Sequence, residues 1–204
     1  MSKLFRSSHR ALQERHDTVR LADRIESHLF REHVTADDKA FIERLDMFFL
    51  ATADRDGFPN CSYKGGDPGF VRVLDEHTLL FPNFDGNGMY LSLGNAQENP
   101  HVGLLFIDFE NQKRLRVNGT ASFAAADSVS PPYTEAQFLV IVAVRQVFPN
   151  CPRYIHKMQL VERSVYAPRP DYDPPVPDWK RMQVFKGALP RTGPAAVEIS
   201  SALA

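Results

Sequence analysis

The sequence predicts a mainly β fold with helices, in which six or seven short antiparallel strands close into a barrel. Three observations lead to this fold class. Short apolar segments follow one another between residues 47 and 147. Clusters of Gly, Asp, Asn and Pro separate these segments at the spacing of hairpin turns. The longest apolar run, residues 138–144, is far shorter than the ~18 residues of a membrane helix.

Composition is that of an ordinary soluble globular protein and argues against several functional classes. Of the 204 residues, 43% are apolar and 24% are charged, and the net charge is −1. Such a chain has no general attraction for nucleic acid or anionic membranes. The two cysteines, Cys61 and Cys151, are too few for a disulfide framework, and the polar N-terminus lacks the apolar stretch of a signal peptide. We therefore expect a cytoplasmic protein.

Three regions are predicted along the chain. Residues 1–45 form a helical segment, residues 46–165 form the barrel, and residues 166–204 form a Pro-rich extended arm whose last ten residues are mobile. In the first region, apolar residues recur at helical spacing from Val19 onward. A second helix is expected to begin after Thr35, because Thr35 and Asp38 have the spacing of a capping box.

Four strands are predicted in the first half of the barrel. The turn between the first two has the sequence Asp54-Arg55-Asp56-Gly57, in which Asp and Gly tolerate the backbone angles of a hairpin. Such short connections join antiparallel neighbours. The four strands cover residues 48–53, 59–64, 70–74 and 78–82.

The second half of the barrel contains a short helix and three strands. The helix is predicted over residues 89–97 and ends before Pro100, because the residue before a proline disfavours helical angles. Both faces of the next strand are apolar, which predicts burial on both sides. Residues 149–163 are expected to form a turn and a last helix. The three strands cover residues 101–109, 115–123 and 138–147.

Three segments carry groups suited to an anion, and each also has a purely structural interpretation. Residues 62–64 offer two hydroxyls and an ammonium before a glycine pair, or they belong to a surface hairpin with an exposed lysine. Residues 81–89 open a helix whose free N–H groups suit an anion, or they are an ordinary helix start with turn glycines. Arg114 and Arg116 point to one face of a strand, where they meet a phosphate or cross-strand acids.

No other chemistry stands out in the sequence. The seven histidines are scattered, and no His/Cys spacing indicates a metal site. Cys61 is interpreted as a small hydrophobic residue rather than a redox thiol. His156 lies near Cys151 in the sequence, but proximity alone does not make a nucleophile pair. There is no glycine-rich phosphate loop of the P-loop or Rossmann type.

Together the three segments have the order in which FMN-binding split-barrel proteins of the pyridoxamine 5'-phosphate oxidase-like class present their flavin ligands. The resemblance covers about residues 46–157. Its most specific part is the Asn99-Pro100 turn into an apolar strand, followed by a basic strand. It is carried by residues 49–52, 56–59, 64–65, 80–83, 99–106 and 115–121, and residues 148–155 resemble a marker of one uncharacterised bacterial subgroup.

The resemblance implies a homodimeric split barrel with FMN across the subunit interface. Lys64 would lie near the flavin phosphate and ring, and the backbone of residues 61–63 would follow the isoalloxazine edge. Residues 86–88 take the place of a Ser-Arg-Lys phosphate clamp, and Arg114 that of a flavin-binding Gln. The cofactor-binding residues expected from the resemblance are Cys61, Ser62, Tyr63, Lys64, Phe81, Pro82, Gly86, Asn87, Arg114 and Arg116.

Two departures distinguish the chain from the true oxidases. The Arg-Lys clamp is missing at Asn87 and Gly88, so Lys64, the two arginines or a partner subunit would have to meet the phosphate charge. The C-terminal Trp and Arg motif of the oxidases is also not evident. The resemblance therefore implies an FMN-dependent oxidoreductase acting on an unknown small molecule. The alternatives are a non-catalytic flavin or haem carrier, a deazaflavin (F420)-dependent reductase, and a barrel that has lost its cofactor.

Overall fold

The structure is a computed structural model that describes residues 2–191 of the chain. The chain divides into two units, Met1–Leu160 and Val161–Ala204. The predicted mobility of the last ten residues concerns a segment outside the described residues. The described helices include none that is long and apolar enough to cross a membrane.

Three helices precede the sheet: α1 (Ser7–Arg15), α2 (Val19–Leu29) and α3 (Ala36–Glu43). Helix α1 lies within the predicted helical segment but was not predicted individually, because none of its residues is buried and its sequence shows no apolar face. The capping box before α3 is confirmed. The Thr35 hydroxyl accepts a hydrogen bond from the Asp38 N–H, and the Asp38 carboxylate accepts one from the Thr35 N–H.

Seven strands form one sheet in which every described pair is antiparallel, as predicted. A fourth helix, α4 (Leu91–Glu98), lies between the fourth and fifth strands. In spatial order the sheet runs β2-β1-β5-β6-β7-β4-β3. The strands are β1 (Met47–Ala53), β2 (Pro59–Gly65), β3 (Arg72–Asp75), β4 (Thr78–Asn83), β5 (His101–Asp108), β6 (Lys113–Ala125) and β7 (Phe138–Pro149).

The sheet curls around one aromatic core. Strands β1 and β4 are four positions apart in the sheet order, which in a flat sheet would separate them by about 19 Å. The ring centroids of Phe48 in β1 and Phe81 in β4 nevertheless lie 5.0 Å apart, and Phe106 of β5 packs 5.2 Å from Phe48. This closure is consistent with the split barrel expected from the sequence.

Strand β5 is buried on one face rather than on both. Val102, Leu104 and Phe106 point into the core, whereas Leu105 and Ile107 on the opposite face are only half-buried. The prediction of two-sided burial is therefore wrong for a single chain. The apolar character of the second face was real, but the chain itself covers that face only in part.

The helix expected within residues 149–163 does not form. Pro149 and Pro152 lack N–H donors, and the side chains of Tyr154 and Val161 are 84% and 95% exposed, so a helix here would have no buried face. Hydrogen bonds hold this segment to the β5–β6 turn instead. The Met158 N–H donates to the Phe109 carbonyl at 3.2 Å, and the Gln112 amide donates to the Ile155 carbonyl at 2.7 Å.

The second unit contains two short 3₁₀ turns, Asp178–Arg181 and Gln183–Phe185, within its described part. The Trp179 ring contacts Phe185 edge to face at a centroid distance of 5.5 Å. The remaining described backbone of this unit has no regular helix or long strand.

Candidate functional site

A cleft of about 390 Å³ opens beside β2, the end of β4 and the start of α4, and is named here the β2–α4 cleft. Its volume falls in the range of about 300–1,000 Å³ that is typical of small-molecule sites. The connection between β4 and α4 forms one wall, and the inward-facing side of β2 forms another. The residues that matter for its chemistry are Asn60, Ser62, Tyr63, Lys64, Pro82, Asn83, Asp85, Gly86, Asn87, Tyr90 and Ser92.

Polar side chains of β2 reach this cleft because β2 is an edge strand, paired with β1 on one side. Ser62 lies opposite Leu50 and Lys64 lies opposite Phe48 in the β1–β2 register. Leu50 and Phe48 point into the core, and cross-strand partners share a face. Ser62 and Lys64 therefore face inward, at the margin of the core, although both are polar.

Lys64 brings a positive charge whose partner is missing from the described part of the chain. No residue in the range 2–191 makes an ion pair or hydrogen bond with its ammonium group. Burial of the side chain lowers the pKa of Lys64 below its usual value. A half-buried cation of this kind is stabilised when an anion enters the cleft.

A chain of hydrogen bonds links two elements along the floor of the cleft. The Asn60 amide donates to the Ser92 hydroxyl at 2.8 Å, and the Ser92 hydroxyl donates to the Ser62 hydroxyl at 2.8 Å. Asn60 and Ser62 occupy alternate positions of β2, whereas Ser92 is the second residue of α4. Ser92 is buried, and its hydroxyl joins α4 to β2.

The first turn of α4 adds free backbone donors to the same cleft. The N-cap residue Tyr90 has φ 49° and provides no side-chain cap, and the first N–H bonded to it inside the helix is that of Gly94. The N–H groups of residues 91–93 therefore have no acceptor within the helix. Residues 91–93 line the cleft, so these donors and the positive end of the helix dipole favour an anion there.

The wall that precedes α4 is held in place by side-chain hydrogen bonds. The Asn87 side chain accepts a hydrogen bond from the Met89 N–H at 3.0 Å, which fixes the turn before the helix. The Tyr90 hydroxyl and the Asn83 amide both donate to the side-chain oxygen of Gln137, at 2.9 and 2.8 Å. These contacts anchor the loop to the segment that leads into β7.

Six of the ten predicted cofactor residues lie together in this cleft: Ser62, Tyr63, Lys64, Pro82, Gly86 and Asn87. Two others lie close by but do not line it. The Cys61 side chain is exposed on the opposite face of β2, and Phe81 is 1% exposed within the core, against Phe48. The sequence placed Phe81 beside a cofactor, but its ring instead supports the strand that carries Pro82.

Arg114 and Arg116 lie away from the β2–α4 cleft within one chain. Arg114 lines a separate cleft of about 440 Å³ together with Arg44 and Asp38, and its guanidinium donates to the Cys151 carbonyl at 2.8 Å. Arg116 is exposed on the outer face of β6. The predicted convergence of both arginines with Lys64 on one phosphate is therefore not formed by a single subunit.

Two cleft residues, Asn60 and Ser92, were missed by the sequence reasoning. The signal for Asn60 was available, since residues 60, 62 and 64 alternate by two and must share one face of the strand. Ser92 gave no comparable signal. Its role depends on the approach of α4 to β2, which no local pattern encodes.

The family model for pyridoxamine 5'-phosphate oxidase matches residues 34–150, which is more than half of the chain and includes every strand of the sheet. The chain belongs to the pyridoxamine 5'-phosphate oxidase family. This agrees with the resemblance drawn from the sequence. No curated protein sequence matches the chain.

Solved structures that resemble this family member are distant from it in sequence. HupZ of Group A Streptococcus is 20% identical with a TM-score of 0.45, covering 57% of this chain and 93% of that one. An FMN-binding protein from Syntrophomonas wolfei is 13% identical with a TM-score of 0.42, covering 69% and 97%. HutZ, the haem storage protein of Vibrio cholerae, is 19% identical with a TM-score of 0.38, covering 56% and 93%.

The donor set of the cleft fits the phosphate end of the flavin that the family implies. The ammonium of Lys64, the hydroxyl of Ser62 and the N–H groups of the α4 start are all groups that bind phosphate oxygens. The lining of the cleft also includes one acidic side chain, that of Asp85. Among residues 2–191, no three His, Cys, Asp or Glu side chains cluster as a metal site would need.

Proposed function

We propose that this member of the pyridoxamine 5'-phosphate oxidase family binds FMN in the β2–α4 cleft and acts as an FMN-dependent oxidoreductase on a small molecule. The observation that carries the proposal is the pairing of Lys64, whose charge is unmet by the described residues, with the free N–H groups of α4 in one cleft. When bound, the flavin supplies the electron-transfer chemistry, and the protein binds and orients it.

The phosphate group is assigned to the end of the cleft formed by Lys64, Ser62 and the α4 start. Lys64 supplies the charge, and the α4 N–H groups supply directed donors. Gly86 has open space around its Cα, so the backbone there can approach a ligand closely. These groups take over the task of the Arg-Lys clamp that Asn87 and Gly88 lack.

The isoalloxazine ring is assigned to the margin of β2. The side of β2 that faces away from β1 has backbone N–H and C=O groups outside the sheet ladder, which can bind the polar edge of a planar ring. Cys61 contributes only backbone to such an edge, since its side chain points to the other face. Pro82 lines the cleft and offers flat apolar surface, whereas the Tyr63 ring lies on the same face of β2 as the Cys61 side chain and packs against Phe49.

A second copy of the chain is the proposed cover for the outer face of the sheet. Tyr63, Phe49, Leu105 and Arg116 lie in one line across strands β2, β1, β5 and β6. The half-buried Leu105 and Ile107 give this face an apolar centre. In a homodimer built on it, the arginines of one subunit's β6 would be available to the cofactor of the other, which a single chain does not achieve.

The first test is flavin binding by the purified protein. We expect a yellow protein that binds FMN, and we expect Lys64→Met to weaken FMN binding at least tenfold because a charge-assisted contact to the phosphate is lost. Lys157→Met removes the same charge from an exposed site and should leave the affinity unchanged. Titration by absorbance or fluorescence quenching measures both variants.

The pH dependence of the same titration follows from the lowered pKa of Lys64. The ammonium is present below that pKa and is lost as the pH rises through it, so FMN affinity should begin to fall at a pH lower than the usual lysine value of 10.5. Lys64→Met should abolish this alkaline loss. A colourless protein that binds no FMN, or unchanged affinity in Lys64→Met, would contradict the proposed site.

Turnover separates an enzyme from a carrier. We expect NADH or NADPH to reduce the bound flavin and an acceptor to reoxidise it repeatedly. Flavin that binds but is never reduced would indicate a carrier. Preferential binding of deazaflavin F420 or of haem in parallel titrations would replace FMN with that alternative.

A further inference from the structure

We propose that Asn60 and Ser92 are positioning residues that fix the Ser62 hydroxyl as a hydrogen-bond donor to a phosphomonoester, an inference that rests on the proposed flavin site. The three side chains form a relay that runs from Asn60 through Ser92 to Ser62. Asn60 sets the direction of the hydrogen bonds at one end, and the Ser62 hydroxyl lies in the β2–α4 cleft at the other.

The direction of the relay follows from the chemistry of its first member. The nitrogen of the Asn60 side chain is a donor only, so the Ser92 oxygen accepts in that 2.8 Å contact. The Ser92 proton is then directed to Ser62, 2.8 Å away. Because Ser62 accepts in this contact, its own proton remains available for a third group.

The position of Ser62 determines which group that is. Ser62 lines the cleft on the inward side of β2, between Asn60 and Lys64. Ser92 is 5% exposed, so the middle member of the relay is largely shielded from solvent. A hydroxyl that accepts from one neighbour becomes a stronger donor to the next. The relay thus presents a polarised O–H to the same space as the Lys64 ammonium.

The relay selects for an anionic ligand group rather than for a ring. A fixed donor is stabilising next to phosphate oxygens, which only accept hydrogen bonds, and contributes little to the neutral end of riboflavin. The Ser62 hydroxyl adds positional selectivity to the charge of Lys64. Lys64 attracts any anion, whereas a directed O–H fixes where one phosphate oxygen lies. We therefore expect the relay to govern the preference for FMN over riboflavin.

The test is a double-mutant cycle between Ser62→Ala and Ser92→Ala in the full-length protein, with FMN and riboflavin affinities measured for each. Ser62→Ala should lower the FMN-over-riboflavin preference about tenfold, as expected for one hydrogen bond to a charged group. Ser92→Ala should lower it by a smaller factor, about threefold, and should have no further effect when Ser62 is already Ala. Additive losses, or equal losses for FMN and riboflavin, would overturn the relay.

A third variant tests the donor-to-acceptor direction of the hydrogen bonds in the relay. In Asn60→Asp the side chain only accepts, so Ser92 donates to it, Ser62 donates to Ser92, and a lone pair faces the phosphate. Asn87→Asp places the same charge on the wall of the same cleft outside the relay and keeps the acceptor for the Met89 N–H, so it is the matched control. We expect Asn60→Asp to reduce FMN affinity at least tenfold more than Asn87→Asp. Equal effects would mean that charge alone acts.

Failure of the flavin assignment is distinguishable from failure of the relay. If the wild-type chain binds no FMN, the proposed function fails, and the same cycle is then measured with inorganic phosphate by the shift in melting temperature. A phosphate-dependent shift that falls in Ser62→Ala, and falls in Ser92→Ala only while Ser62 is present, supports the relay. Identical shifts in all variants, or none in the wild type, overturn it.

Discussion

At the scale of single residues, the chain keeps several polar groups at the margin of its core. Tyr133 is one of them, and its effect on stability can be tested by substitution. Its hydroxyl is buried without a hydrogen-bond partner. Burial raises the pKa of Tyr133 to about 12, and the nearby Arg72 reduces this effect only in part. The Arg72 guanidinium lies 3.9 Å from the centre of the Tyr133 ring, so the ring rather than the hydroxyl makes the favourable contact.

We expect Tyr133→Phe to leave the free energy of unfolding unchanged or to raise it by about 1 kcal/mol, because a buried hydroxyl without a partner is removed. Tyr133→Leu should lower it by about 1–2 kcal/mol, since the cation–π contact is lost. Urea denaturation at neutral pH measures both. If the two substitutions were equally destabilising, the hydroxyl would have a partner in solution.

Within elements, the pairing of β6 with β7 shows how one glycine sets the shape of the sheet. The register shifts between Asn118 and Gly119, where β7 carries Arg145 as an extra residue. A Cβ at Gly119 would lie 2.4 Å from the Ala143 carbonyl oxygen and 2.6 Å from Val142. The close approach of a neighbouring backbone, which cannot move aside as a flexible side chain can, requires glycine at this bulge.

Gly119→Ala is therefore expected to lower the free energy of unfolding by about 2–3 kcal/mol through overpacking. Gly94→Ala is the contrasting variant, because Gly94 lies within α4 with open space where its Cβ would be. It should raise the free energy of unfolding by about 0.5–1 kcal/mol, since alanine favours the helix. Thermal and chemical denaturation of both variants would check the pair. A tolerated Gly119→Ala would show that the bulge relaxes.

At the scale of the whole molecule, the outer face of the sheet is the surface through which a second subunit could reach the proposed cofactor. Its centre is apolar, and Arg114 and Arg116 lie on it rather than beside Lys64. A face of this kind is covered when a second sheet packs against it. The proposed dimer would thus bury the face and bring cations of one subunit toward the cofactor of the other.

A charge at the centre of this face should prevent dimer formation. We expect Leu105→Glu to yield a monomer whose FMN affinity is reduced, because a buried unpaired carboxylate at an interface is unfavourable. Leu74→Glu introduces the same change at an exposed residue of β3 and should leave the dimer intact. Light scattering after size exclusion gives the mass of each variant. A wild-type monomer that binds FMN fully would contradict the dimer.

Much of the fold and part of the site could be read from local sequence. The turns, the alternation of the strands and the capping box at Thr35 depend on neighbours within a few residues, and the antiparallel sheet follows from them. Ser62 and Lys64 could be predicted as site residues because their signal also lies within a few neighbouring residues. The prediction of a helix after Pro149 was wrong, because two prolines and the lack of a buried face outweighed the apolar residues of this segment.

The sequence alone determined approximately where the seven strands lie, that Ser62 and Lys64 share one face of β2, and that a helix start follows β4. Only the tertiary structure decided that Phe81 enters the core, that Arg114 lies in another cleft, and that Ser92 meets Asn60. The physical reason is that side-chain direction repeats every two residues along a strand, whereas the distance between strands that are not neighbours depends on how the sheet curls. That curvature results from packing the whole core.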